Sequence, residues 1–116
     1  MINETELREK SAKSVKGNPA LEKQFDYFAP VIAETAPAMP DIWHGGGRTI
    51  GKDYKSIKFC WRNERTGRWI ELSIYDCFAG IFNVNGNKTS IKQIASTDEA
   101  RAAFESAFRY VFGENK

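Results

Sequence analysis

The chain has 116 residues, 41% hydrophobic and 28% charged, and its Lys and Arg exceed Asp and Glu by two. That balance excludes a disordered chain, and no apolar run approaches the ~18 residues of a membrane span. One domain covering residues 1–116, with a single core and no disulfide staples, is the expectation.

The acidic start, Met1 to Glu6, lacks an apolar h-region, so a cytoplasmic location with no membrane contact is expected. Cys60 and Cys77 are then reduced thiols. Net charge is unevenly spread: −2 over residues 1–47, +5 over residues 48–95 and −1 over residues 96–116. An anionic partner is therefore drawn to the middle of the chain.

A first helix opens at Asn3, which serves as N-cap with Glu6 at N3 and with Ile2 and Leu7 as a hydrophobic staple. Its apolar stripe is thin, which predicts a peripheral helix stopping near Gly17. Asn18 and Pro19 restart the chain as cap and first helical residue. Leu21, Phe25, Phe28 and Ile32 then share one face and belong to the core. Pro30 removes a hydrogen bond from this helix, predicting a kink or an end near Phe28 with a restart. Residues 37–53, with two prolines and three consecutive glycines, read as a mobile connecting loop.

Residues 54–94 read as a sheet. Tyr54 to Arg62 and Arg68 to Tyr75 form a hairpin around the polar turn at residues 63–67, and strands near Gly80 to Val84 and Lys88 to Ile94 follow. Asn85-Gly86 joins the last two through a type I′ turn. Short connections make this a four-stranded antiparallel meander. The closing helix, residues 96–112, starts with the capping box Ser96/Glu99, buries Ala100, Ala103, Phe104, Ala107, Phe108 and Val111, and stops at Gly113. The predicted fold class is α+β: N-terminal helices, the meander, and a C-terminal amphipathic helix packed on one sheet face.

Alternation sorts the hairpin into two faces. Ile57, Phe59, Trp61, Ile70, Leu72 and Ile74 face the core, so Lys58, Cys60 and Arg62 lie opposite with Trp69, Glu71, Ser73 and Tyr75. Lys88 and Lys92 are assigned to that second face. It is either covered by the N-terminal helices or left open as a binding surface.

No catalytic constellation survives inspection. His44-Gly45-Gly46-Gly47 spells the oxyanion loop of lipases, but no Gly-x-Ser-x-Gly elbow accompanies it. Gly46 to Lys52 matches most of a phosphate-binding loop, yet Asp53 replaces the magnesium-binding hydroxyl and a strand follows where a helix is needed. One histidine and two cysteines cannot fill a zinc site unaided. Cys60 or Cys77 with His44 lacks an orienting third group, and Glu71 with Asp76 reads as surface charge. Neither cofactor nor metal is expected.

What remains is binding. Trp43, Lys58, Arg62, Arg65, Arg68, Trp69 and Tyr75 are residue types that dominate interface hot spots. They suggest a non-enzymatic cytoplasmic module, an inhibitor or immunity-type protein that occludes an acidic site on a protein partner. Nucleic-acid binding by the same basic surface is the alternative.

Overall fold

The computed structural model describes residues 2–49, 51–76, 80–91 and 94–112. Helices α1 (Glu4–Val15) and α2 (Pro19–Thr35) lead into strands β1 (Asp41–Thr49), β2 (Lys52–Arg62), β3 (Trp69–Tyr75), β4 (Gly80–Val84) and β5 (Asn87–Ile91), and helix α3 (Thr97–Phe112) closes the order. The expected α+β arrangement is present, and its four-stranded meander is β2 to β5. A fifth strand precedes it, so the sheet runs β1-β2-β3-β4-β5 with every neighbour antiparallel.

That fifth strand corrects the loop expected at residues 37–53. Glycines carry no hydrophobic alternation, so nothing in residues 45–47 signals a strand, yet the register from Asp41↔Cys60 to Thr49↔Lys52 is continuous. Close packing explains the glycines. A Cβ on Gly46 would stand 2.9 Å from the backbone oxygen of Tyr54, and one on Gly47 would stand 2.9 Å from the Tyr54 hydroxyl, whose ring lies over it.

Of the two outcomes expected at Pro30, an end near Phe28 does not occur, because α2 continues through that residue to Thr35. Phe25 and Phe28 before the proline and Val31 and Ile32 after it are all buried. Their burial, at ~1.5–3 kcal/mol each, outweighs the ~3 kcal/mol helix penalty of proline. The caps at Asn3 and Asn18 form as expected, accepting from Glu6 N and Leu21 N. At α3, Ser96 Oγ accepts from Glu99 N. The described part of the last strand is Asn87–Ile91, while Cys77, Lys92 and Gly113 lie outside the described residues.

All three helices pack on the same side of the sheet: α1 against β1 and β2, α2 against β3, and α3 against β3 and β4. Aromatic rings make the joints. Phe25 stacks on Phe59 at 5.9 Å, and Trp61 meets Phe104 and Phe108 edge-on at 5.5 and 5.1 Å. The indole of Trp61 donates to Ala38 O at 3.0 Å, which satisfies its polar edge. Because Phe25 and Phe28 find their place beside α3, no described helix covers the second face. The choice left by the sequence is thereby decided in favour of an open face. No helix among the described residues is long and apolar enough to cross a membrane.

Candidate functional site: the open sheet face and its basic tip

Register places the site residues in rows across the open face. Asp41, Cys60, Glu71 and Asn83 form one row; Trp43, Lys58 and Ser73 form the next; Arg62 sits opposite Trp69. Between Trp43 and Trp69 these rows leave a groove of about 470 Å³ lined by Asp41, Trp43, Lys58, Cys60, Arg62, Trp69 and Glu71, with Trp61 and Ile70 also contributing to its wall. Trp43 is 59% exposed, an unusual state for so large an apolar side chain.

The groove is mixed in charge. Lys58 Nζ lies 3.8 Å from Glu71 Oε1, and Asp41 joins the same wall. The positive surplus of the middle segment is thus partly neutralised by Asp41, which the sequence count assigns to the acidic N-terminal part. Cys60 Sγ points at Glu71 Oε2 at 3.7 Å. Burial first, and the Glu71 carboxylate second, push the Cys60 thiol up to about 11. It stays protonated near neutrality and is a poor nucleophile.

Positive charge concentrates instead at the β2–β3 tip. Arg62 and Arg65 are exposed and Arg68 is half-buried, with Glu64 the acidic residue between them. The tip is well tied down. Asn63 N donates to Arg68 O and Gly67 N to Asn63 O, both at 2.8 Å, and Gly67 takes the positive φ of 77° that this turn requires. Asn63 Nδ2 then donates to Val111 O at 2.8 Å, fastening the tip to the end of α3. Asn85, at φ 51°, accepts from Trp69 N through its side chain, and its own N–H donates to Trp69 O. The neighbouring β4–β5 turn therefore braces the indole's strand.

Of the seven residues singled out from sequence, Trp43, Lys58, Arg62 and Trp69 line the groove. Arg65 and Arg68 are outside its lining, in the β2–β3 turn between Arg62 and Trp69. Tyr75 lies beyond the other end, where its ring meets Tyr54 at 5.8 Å. By backbone register Lys88 pairs with Asn83. Asp41 was missed, because placing it required recognising β1 as a strand. Glu71 was placed on this face but not recognised as the partner of Lys58.

Among the described residues, the groups considered for catalysis are separated. His44 lies on the helix side of β1, where Ser14 Oγ meets its Nδ1 at 2.5 Å, whereas Cys60 faces the opposite side. Burial, and then Lys13, lower the His44 pKa from its ordinary 6.5. Asp76 leaves Glu71 behind and accepts from Asn18 Nδ2 at 2.9 Å. The phosphate-loop lookalike at Gly46 to Lys52 is the β1–β2 hairpin, and no helix N-terminus follows it. Comparison with protein-family models, curated proteins and solved structures finds no match to this chain.

Proposed function

We propose that this chain is a non-enzymatic protein-binding module, an inhibitor or immunity-type protein that occludes an acidic site on its partner. The arginine tip meets the acidic group, and the adjoining groove supplies the aromatic contact. The observation that carries this reading is the open face itself: a sheet whose helices are all on one side, with Trp43 and Trp69 flanking a groove beside Arg62, Arg65 and Arg68. Aromatic and arginine anchors of this kind dominate binding energy at protein interfaces. Bonding of the tip to Val111 adds preorganisation, which lowers the cost of ordering it on binding.

The pairing of Lys58 with Glu71 and the presence of Asp41 favour a protein partner over a nucleic acid. Phosphate binding draws on uncompensated cations, and its affinity falls steeply with salt. The test is capture of a partner from cytoplasmic extract by the immobilised chain, with interface mapping by cross-linking. The Arg65→Glu, Trp69→Ala double variant is expected to weaken the captured complex ~30- to ~700-fold, the effect of losing two side chains of ~1–2 kcal/mol each. Unchanged capture by that variant removes the tip and groove from the interface. Salt-sensitive retention of wild-type protein on an oligonucleotide, flattened by replacing Arg62, Arg65 and Arg68 with alanine, supports the nucleic-acid alternative instead.

A further inference from the structure

Among the described residues strand β1 has a partner on one side only, since it stands first in the sheet order. The parity of the ladder shows which of its groups face outward. Asn63↔Arg68 and Lys55↔Asp76 carry backbone hydrogen bonds between β2 and β3, so the odd residues of β2 bond towards β3 and the even ones towards β1. Across β1–β2 the bonded pairs are then Asp41↔Cys60, Trp43↔Lys58, Gly45↔Ser56, Gly47↔Tyr54 and Thr49↔Lys52. The last of these closes the two-residue hairpin as such a turn requires. Ile42, His44, Gly46 and Arg48 consequently turn their N–H and C=O groups away from the sheet. Among the described residues no other element hydrogen-bonds to those backbone groups.

Proteins usually shield such an edge with charge, proline, a bulge or a covering element. Here residues 43–48 are all exposed, and α1 lies on the helix side of β1 and β2 instead of capping their edge. The strand is also divided by size. Its first half carries Ile42, Trp43 and His44, and its second half carries Gly45, Gly46 and Gly47.

We propose that this edge pairs with the same edge of a second copy of the chain, antiparallel about a two-fold axis through Gly45. That register sets Ile42 opposite the partner's Arg48 and His44 opposite the partner's Gly46, which satisfies all the outward groups of Ile42 to Arg48 reciprocally. Each bulky half then falls on a glycine half. Trp43 comes opposite the partner's Gly47, over which Tyr54 of that copy already lies, so the exposed indole gains an aromatic neighbour on the open face. Registers shifted by two residues leave outward groups unpaired at one end. The paired edge is about 20 Å long at ~3.4 Å per residue, a small interface, and a micromolar dimer follows. This inference does not rest on the face-and-tip reading, because Arg65 and Trp69 are not in it.

Sedimentation velocity of the full chain from about 1 to 500 µM, the range over which a small interface titrates, should show a reversible dimer. Arg48→Pro removes an outward donor without touching the β1–β2 ladder, and it should weaken the dimer at least ~10-fold, as loss of the symmetry-related bonds implies. Its far-UV spectrum and unfolding midpoint should stay near wild type. Trp43→Ala, which truncates an exposed side chain, should weaken the dimer as well. Gly45→Cys, with Cys60→Ser and Cys77→Ser, should cross-link to itself on oxidation because the two-fold brings that position against its own copy, whereas Ser106→Cys on α3 should not. A wild-type chain that stays monomeric throughout overturns the proposal. So does a dimer of unchanged affinity in folded Arg48→Pro, or a Gly45→Cys that cross-links no better than Ser106→Cys.

Discussion

Replacing Gln24 by leucine tests how α2 is joined to the far end of the sheet. Gln24 is a buried polar residue of α2, and its amide pairs reciprocally with the backbone of Ile94. Gln24 Nε2 donates to Ile94 O at 3.0 Å, and Ile94 N donates to Gln24 Oε1 at 2.8 Å. The side chain thus imitates one rung of a β-ladder between residues 70 positions apart. Leucine of similar size removes both bonds and leaves the N–H and C=O of buried Ile94 unpaired. At ~1–3 kcal/mol for each of the two unsatisfied groups, less up to ~1.5 kcal/mol regained from the apolar side chain, the expected loss is about 0.5–6 kcal/mol. For a total stability of ~5–15 kcal/mol that is a large fraction. The assay is urea unfolding followed by tryptophan fluorescence, with the midpoint converted through an unchanged m-value. Gln24→Glu separates hydrogen bonding from packing. Its carboxylate cannot donate to Ile94 O and is held in a buried site, so its folded-state pKa rises above the ordinary ~4.3. The protonated form can donate and accept as the amide does. Relative to wild type, Gln24→Glu should therefore be weak near neutral pH and recover as pH falls through that raised pKa. A Gln24→Leu midpoint within ~0.5 kcal/mol of wild type, or a Gln24→Glu deficit that grows in acid, would show that this pairing does not hold α2 to the sheet.

Further outcomes follow from packing and charge. Phe104 is fully buried, stacked on Phe108 at 4.5 Å and edge-on to Trp61, so Phe104→Ala should cost ~3–5 kcal/mol by chemical denaturation; an unchanged midpoint would detach α3 from the core. Gly46→Ala should destabilise by ~1–3 kcal/mol because backbone must move, whereas Gly45→Ala meets only the rotatable Ser56 Oγ and should be close to neutral. Equal costs at the two positions would argue against this β1–β2 packing. His44 has its pKa lowered in the folded state, so the unfolded chain takes up its proton first. Stability should decline as pH falls through its ordinary 6.5 and on to the lower folded value. His44→Gln should remove the part of the pH dependence that sets in as pH falls through the ordinary histidine value, and a profile identical to wild type would sink the assignment. Cys60, with its raised pKa, should react with a neutral-pH disulfide reagent much more slowly than an unfolded thiol, in a Cys77→Ser background.

The helices were legible because their signals are local. Capping residues at Asn3, Asn18 and Ser96 act within one turn, and the 3.6-residue spacing of Phe104, Phe108 and Val111 fixes a face without reference to anything distant. The hairpin parity was legible for the same reason. Pro30 does not end α2, because the local penalty is real but smaller than the burial on both sides of it. The glycine strand left no local trace, since its signal is the bulk of Tyr54 and Ser56 on a different strand. At the site, six of the seven residues singled out gather at the groove and tip, while Tyr75 stands apart with Tyr54. Asp41 entered only through the β1 register.

Sequence alone determined the elements other than β1, their order from helix pair to meander to closing helix, and which side chains of the hairpin share each sheet face, because those properties depend on neighbours a few residues away. Tertiary structure decided on which side α1 and α2 lie. Whether Trp69 was core or surface turned on that choice, and Phe25 settling on Phe59 beside α3 resolved it. It also decided that the central face mixes charges, because Asp41 and Glu71 reach the groove from different strands. Interactions between residues far apart in the chain carry no mark in either residue's own neighbourhood.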